Sequence, residues 1–160
     1  MAEKLQFELV SPEKLLLSEA VAMVVVPGGE GNFGVLPGHS LLISTVRPGV
    51  IDVYSDEQTR ISERIFVTGG FAEVTPERCT VLADEAVPLS SLDRTELEQQ
   101  ARAVSSTVAS LRDQSARAQG AERDQVLADL RAAERVLAVV DAKLAALEIE
   151  SGRPRIESEP

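Results

Sequence analysis

The chain has 160 residues, enough for one ordinary domain or two small ones, and this length disfavours a single large enzyme fold. Its 26 acidic residues outnumber the 16 basic ones, and the net charge of -10 repels a phosphate backbone or an anionic lipid surface on average. We therefore expect no nucleic-acid binding and no insertion into lipid. The longest apolar run, at residues 20–26, is far shorter than the roughly 20 residues that a membrane-spanning helix needs.

The first half of the chain has the two-residue periodicity of β-strands. At residues 4–10, the apolar Leu5, Phe7 and Leu9 alternate with polar side chains, as in a half-buried strand. Further β-branched or aliphatic runs, separated by turn signals, occupy residues 21–26, 41–46, 50–54, 64–68, 71–74 and 79–83. Many short strands without a helical pattern between them indicate an antiparallel sandwich or barrel. We assign residues 1–88 to this domain.

Residues 89–150 change to a helical periodicity, because Gly and Pro nearly vanish and helix-forming residues replace them. Asp93, Ser90 and Ser91 are candidate N-caps, and Gly120 suits a turn between two helices. We predict an α+β protein, an N-terminal antiparallel β-sandwich followed by a C-terminal two-helix antiparallel hairpin, with a flexible polar tail at 151–160. The apolar seams, with steps of four and three, are Leu97, Ala101, Val104, Val108 and Leu111, then Val126, Leu130, Ala133, Leu137, Val140, Leu144 and Leu147.

The second predicted helix carries two arginines on one face. Arg131 and Arg135 lie four residues apart, with Glu134 beside them. They form either a solvated face or a contact with an acidic partner, and the pattern leaves both open. The narrow apolar seams likewise leave open whether the helices pack on the sandwich permanently or dock to a partner.

Residues 29–34, with the letters GEGNFG, spell the GxGxxG pattern of a dinucleotide-binding loop. Such a loop needs a helix after the glycines, whose N-terminal amides bind the pyrophosphate. Here VLPG and then a strand-like run follow, so the helix is missing. An oxidoreductase hypothesis would depend on this match alone, and we interpret the match as coincidental. We predict a tight, irregular loop whose glycines allow positive φ angles and close contact with another backbone.

Groups for catalysis or metal binding are sparse. His39 is the only histidine, so a histidine-based metal site or catalytic pair would have to include it. Cys79 lies in a strand pattern 40 residues away, where a small core residue is expected. The acidic pairs at 56–57 and 84–85 fall at strand ends, as in solvated turns. We therefore predict no catalytic residue, no metal site and no cofactor, and hence no enzyme.

Three stretches together resemble the epsilon subunit of bacterial F-type ATP synthases. They are EGNFGVLPGH at residues 30–39, RPGVI at 47–51 and VTGGFAEVTPERCTVLADEA at 67–86, in the family's order and spacing. The resemblance covers residues 4 to about 150. It implies a sandwich followed by a helical hairpin, in a non-catalytic subunit of the rotating central stalk. It also implies a peripheral location at the cytoplasmic face of the bacterial inner membrane.

The resemblance also implies partners. The family member binds the gamma subunit and rests on the membrane-embedded ring of c subunits, so that it helps to couple ring rotation to ATP synthesis. The family's loop that meets the ring and gamma matches residues 29–39. By this match the interface residues are Glu30, Gly31, Asn32, Gly34, Pro37, Gly38 and His39.

In many relatives the helical hairpin switches between a compact form and an extended form that reaches along gamma and blocks ATP hydrolysis. By the resemblance, Arg131, Arg135 and Lys143 would then meet acidic surface on the alpha and beta subunits. Relatives that bind ATP carry Ile or Leu, Asp, two variable residues and Arg-Ala near the first helix. Glu96 and Leu97 stand where Arg and Ala belong, so the resemblance does not extend ATP binding to this chain.

A second hypothesis, from another class, is a free cytosolic adaptor whose coiled-coil hairpin recruits an unrelated partner. It predicts recovery of the protein away from membranes. The stalk hypothesis predicts that the protein is washed off membranes together with the ATPase head.

Overall fold

A computed structural model of the protein describes residues 3–152. Within them lie ten β-strands, a single 3-10 turn at Leu89–Ser91 and two α-helices. The chain divides after Ser91 into two compact units, the first formed by the strands and the second by the helices. None of the helices in the described part of the chain is both long and apolar enough to cross a bilayer.

The strands of the first unit form two layers. Hydrogen bonds order them β10-β7-β6-β3-β5-β8-β9-β1-β2, with β4 added to β3. The path passes from one layer to the other through a single residue pair between β3 and β5, Gly28 with Val46. The strand bounds are β1 Leu5–Val10, β2 Leu15–Val21, β3 Met23–Gly28, β4 Gly31–Val35, β5 Leu42–Val46, β6 Gly49–Tyr54, β7 Glu63–Val67, β8 Gly70–Val74, β9 Arg78–Ala83 and β10 Ala86–Pro88.

One apolar core lies between the two layers. β1 shows the pattern most plainly, because Leu5, Phe7 and Leu9 are buried while the residues between them are half-buried. Valines of β3, β6, β7, β8 and β9 join the same cluster. The predicted β-sandwich is confirmed.

The strand prediction missed β2, β4 and β10. β2 begins with the exposed Leu15 and Leu16, which break the alternation, and β10 has only three residues. The sandwich also contains a parallel pair, because β1 runs parallel to β9. Strands have the same two-residue period in parallel and antiparallel pairs, so the sequence pattern carries no sign of this direction.

The second unit is a helical hairpin of α1 (Arg94–Arg117) and α2 (Gly120–Gly152). Asp93 is the N-cap of α1, and its carboxylate accepts hydrogen bonds from the amides of Thr95 and Glu96 at 2.9 and 3.3 Å. Gly120 has a φ of +63°, which favours glycine, at the start of α2. The predicted N-cap and the predicted turn are both confirmed.

The two helices run antiparallel, as ion pairs near both ends of α1 show. Arg94 lies 4.0 Å from Glu148, and Arg112 lies 3.4 Å from Glu134. The seam between the helices is buried only at some positions, and Leu137 is half-buried. The buried apolar residues are Leu97 and Val108 in α1 and Leu130, Val140 and Ala146 in α2. Ala146 is not a position of the predicted seam, whose last members, Leu144 and Leu147, are half-buried. The predicted helical hairpin is confirmed, and residues 153–160 of the predicted tail lie outside the described residues.

Candidate functional site

Residues 29–34 belong to a tight β-hairpin, and the prediction of an irregular loop was wrong. β3 and β4 pair from Val24 with Val35 to Gly28 with Gly31, so only two residues form the turn. Gly31 has a φ of +141°, a conformation that L side chains rarely adopt. Three glycines in four residues concealed the strand, because glycine has no side chain with which to show alternation. We call residues 29–32 the hairpin tip.

The hairpin does not have the structure of a dinucleotide-binding loop. β4 returns antiparallel along β3, and no helix N-terminus follows the glycines. The Gly29 amide donates a hydrogen bond to the carbonyl of Thr45 at 2.9 Å, so this N–H is already used within the sheet. The interpretation of GxGxxG as a coincidental match is confirmed.

Arg47, in the turn between β5 and β6, binds the hairpin tip. Its guanidinium donates to the carbonyl of Gly28 and to Oδ1 of Asn32, the second bond at 2.6 Å. Its backbone N–H donates to the carbonyl of Pro27 at 2.9 Å. Gly49 completes the fit, because a Cβ there would lie 3.0 Å from Cβ of Pro27. The RPG and EGN stretches of the sequence therefore form one structural unit.

The predicted interface residues do not form a single contact point. They are distributed along β4, and its five residues span about 13 Å at the usual rise per residue. The tip residues are exposed, and the turn at the other end is partly buried. Glu30, Gly31 and Asn32 lie at the tip, Gly34 lies within β4, and Pro37, Gly38 and His39 lie beyond its far end.

The turn at the far end of β4 is attached to the turn between β8 and β9. The Gly38 amide donates to the carbonyl of Pro76 at 2.7 Å, and Gly38 has a φ of +87°. The His39 amide donates to the carbonyl of Leu36 at 3.1 Å, which closes the turn. The His39 ring lies with Nδ1 2.7 Å from the carbonyl oxygen of Ser40, so Nδ1 donates to an oxygen that can only accept.

Cys79 lies in the core of the sandwich, as the sequence predicted. Its side chain is fully buried in β9, and burial raises the pKa of the thiol to about 12. The sulfur is therefore protonated at neutral pH, whereas a nucleophilic cysteine needs a thiolate. Cys79 and His39 therefore do not form a Cys-His nucleophile pair.

An exposed apolar row crosses the outer face of the β5-β8-β9-β1-β2 layer, and the sequence prediction missed it. The row consists of cross-strand neighbours, with Phe71 opposite Leu82, Leu82 opposite Val10, and Val10 opposite Leu15. Phe71, Leu82 and Leu15 are 57%, 53% and 56% exposed. Contiguous apolar surface of this kind marks interaction sites. The signal was present in β8, where alternation places Phe71 on the side opposite the buried Ala72.

The apolar row lies next to the hairpin tip, and Thr45 connects the two. Thr45, whose carbonyl accepts the Gly29 amide, is the cross-strand partner of Phe71. On the same layer, an open groove of about 680 Å³ is lined by three glutamates, Glu8, Glu73 and Glu77, together with Arg78 and polar side chains. The face is therefore apolar along the row and acidic beside it.

In the helical hairpin, Arg131 and Arg135 are exposed, and Lys143 is half-buried two turns further along α2. Glu134 forms its ion pair with Arg112 of α1. Within residues 3–152, neither Arg131 nor Arg135 has an ion-pair partner. The face that they share is therefore positively charged.

Comparison with known proteins identifies the family. The family model described as ATP synthase, Delta/Epsilon chain, beta-sandwich domain, matches residues 4–89. The chain belongs to this family. The ATP synthase epsilon chain of Rhodospirillum rubrum is 49% identical over 133 residues, which are 83% of this chain and 98% of the relative. That of Rhodospirillum centenum is 68% identical over 103 residues, 62% of this chain and 70% of the relative.

A solved structure agrees with the delta/epsilon family assignment. A chain in the cryo-EM structure of the Euglena gracilis mitochondrial ATP synthase, OSCP/F1/c-ring in rotational state 1, has a TM-score of 0.64 and 25% sequence identity. The match covers 90% of this chain and 81% of that one. These relatives confirm the resemblance found in the sequence. The alternative of a free adaptor was wrong, because the relatives that align over nearly their full length are ATP synthase epsilon chains.

Proposed function

We propose that the chain is a non-catalytic rotor subunit of a bacterial proton-translocating ATP synthase, peripheral at the cytoplasmic face of the inner membrane. It couples rotation of the c ring to ATP synthesis in the catalytic head. The observation that carries this proposal is the alignment with a bacterial ATP synthase epsilon chain over 98% of that chain's length. The buried, protonated thiol of Cys79 supports the non-catalytic part.

In this proposal the hairpin tip contacts the c ring. Glu30, Gly31 and Asn32 are exposed on a two-residue turn, which lets another backbone approach closely. The bonds from Arg47 to Gly28 and Asn32 make the tip stiff. A stiff contact suits torque transmission, because a flexible tip would bend before it moved the rest of the subunit.

The gamma subunit, in this proposal, binds the apolar row. Burying the exposed side chains of Phe71, Leu82 and Leu15 supplies a non-directional driving force. The glutamate-lined groove on the same layer suits basic side chains at the edge of the gamma surface. The turn at Pro37, Gly38 and His39 is attached to the β8–β9 turn of this layer, so we assign it to the same partner. Gly34 within β4 completes the predicted interface set.

Reconstitution tests the assignment. The purified chain is added to ATP synthase depleted of the matching subunit, and gamma binding and coupled ATP synthesis are measured. We expect both to be restored. Phe71→Ser combined with Leu82→Ser is expected to weaken gamma binding on the order of 100-fold, because two large apolar contacts are lost. Val136→Ser, at an exposed apolar residue of α2, is the control and keeps wild-type affinity. Failure of the wild-type chain to bind gamma or restore synthesis refutes the assignment.

We also propose that the helical hairpin restrains ATP hydrolysis, with Arg131, Arg135 and Lys143 contacting acidic surface on the alpha and beta subunits. The unpaired charges of Arg131 and Arg135 support this contact. The double variant Arg131→Ala, Arg135→Ala is expected to raise hydrolysis by the reconstituted complex about 2- to 10-fold, which corresponds to two exposed ion pairs. Arg102→Ala, an exposed arginine of α1, is the control. Equal hydrolysis rates in both variants would refute the contact of Arg131 and Arg135, and unchanged hydrolysis after deletion of residues 92–160 would show that the hairpin is structural only.

A further inference from the structure

The contact between Arg47 and Asn32 determines how the Asn32 amide is turned. A guanidinium has only donors, so the amide atom 2.6 Å from Nη2 of Arg47 has to be the oxygen Oδ1. The Nδ2 group then points away from Arg47. Asn32 is exposed, and among residues 3–152 its Nδ2 has no hydrogen-bond partner. Within the described residues, both N–H donors of this exposed amide are therefore available to another molecule.

The orientation is well supported by the surroundings of Arg47. The same guanidinium also donates to the carbonyl of Gly28, and the Arg47 amide donates to Pro27. A planar guanidinium that makes two bonds in fixed directions holds its acceptors in one geometry, which a lysine cannot do. The Gly29 amide fixes the other side of the turn through Thr45.

We propose that Arg47 is a positioning residue of the hairpin tip. It holds Oδ1 of Asn32, so that the Nδ2 donors face the partner, and the partner supplies a hydrogen-bond acceptor, a carbonyl or carboxylate oxygen, at this point. The proposal deepens the proposed contact between the tip and the ring and rests on it. In this arrangement the Nδ2 group of Asn32 contacts the partner, whereas Oδ1 of Asn32 remains bonded to Arg47.

The first experiment uses the isolated chain and does not depend on any partner. Urea unfolding is measured for Arg47→Ala, Asn32→Ala and the double variant. In the wild-type background we expect Asn32→Ala to raise the equilibrium constant of unfolding about five- to tenfold. In the Arg47→Ala background we expect the same substitution to raise it less than about twofold. Arg60→Ala, at an exposed arginine in another turn, is the matched control background and leaves the Asn32→Ala effect unchanged. Additive effects of Arg47→Ala and Asn32→Ala would refute the positioning role.

The second experiment separates the donors of Asn32 from its structural role. Asn32→Asp keeps an oxygen for Arg47 and adds an ion pair, but it removes both N–H donors. We expect this variant to unfold at a urea concentration equal to or higher than that of the wild type. We also expect it to bind the depleted ATP synthase about tenfold more weakly and to support the pumping of fewer protons per ATP hydrolysed. Arg47→Lys is expected to lose affinity as well, because one ammonium does not hold both acceptors.

The outcomes distinguish this inference from the function on which it rests. Wild-type affinity and proton pumping by Asn32→Asp refute the donor role while leaving the rotor assignment intact. A wild-type chain that fails to bind or couple refutes the rotor assignment instead. The salt dependence of Asn32→Asp binding identifies the acceptor, since an aspartate opposite a carboxylate adds a repulsion that salt screens.

Discussion

At the scale of single residues, burial determines the chemistry of Cys79. Desolvation raises the pKa of its thiol to about 12 from a usual value near 9. Between pH 9 and 12 the unfolded chain therefore loses a proton that the folded chain keeps. By linkage, stability falls as the pH rises through this window, and below pH 9 this residue adds no pH dependence.

Cys79→Ala tests this linkage. The free energy of unfolding in urea is measured from pH 7.5 to 10.5, roughly the range around the thiol's usual pKa. We expect Cys79→Ala to be less stable than the wild type at neutral pH, because it leaves a small cavity. The difference in the free energy of unfolding between the two proteins should narrow at alkaline pH, because only the wild type loses stability through the thiol. A gap that stays constant across the range would contradict the raised pKa.

Leu137 shows how incomplete burial limits the stability that a seam residue contributes. Leu137 is half-buried, whereas Leu130 is 9% exposed on the same helix. We expect Leu130→Ala to cost about 2 to 4 kcal/mol and Leu137→Ala about 1 to 2 kcal/mol in urea unfolding. Equal costs at the two positions would mean that the seam is packed uniformly.

At the scale of elements, the first turn of α1 depends on its N-cap. The Asp93 carboxylate satisfies two backbone amides that have no partner within the helix. Asp93→Ala is expected to destabilise the helical hairpin by about 1 kcal/mol, whereas Asp93→Asn, another good N-cap, costs much less. Hydrogen exchange at the amides of Thr95 and Glu96 measures the effect directly. Equal exchange in Asp93→Ala and wild type would show that the cap contributes little.

The sequence predicted those elements in which the apolar residues recur at the spacing of a strand or a helix. β1, α1 and α2 have clear spacing of apolar residues, and the structure contains all three. The prediction missed β4 because its glycines show no alternation of apolar and polar side chains. It missed β2 because Leu15 and Leu16 are both exposed. Local patterns also carry no information on which strands become neighbours, so the parallel pairing of β1 with β9 was not predictable.

Sequence motifs predicted some residues of the candidate site but not the contacts between them. The family resemblance named Glu30 and Asn32, and both lie exposed at the hairpin tip. The bond from Arg47 to Asn32 joins residues 15 positions apart in two turns, and no pattern in the sequence shows it. The apolar row requires the register of four strands before its members become neighbours.

At the scale of the whole molecule, the core of the first unit is independent of the helices. Every residue of the apolar cluster, including those packed against it, lies between Leu5 and Ala86. We therefore expect deletion of residues 92–160 to leave a sandwich that unfolds cooperatively and binds gamma with the affinity of the full chain. Circular dichroism and gamma binding of the truncated chain measure this. An unfolded truncated chain would refute the two-domain organisation.

The position of β1 between β2 and β9 has a consequence for biosynthesis. β2 follows β1 at once, but its other neighbour, β9, is about 70 residues later in the chain. A ribosome-bound chain therefore carries β1 with one unpaired edge until Ala83 has emerged from the exit tunnel. Hydrogen bonds within a helix join residues only four positions apart, so each helix can form soon after its own residues have been synthesised. The nascent chain is thus most exposed to aggregation during synthesis of its first unit, before any helix exists.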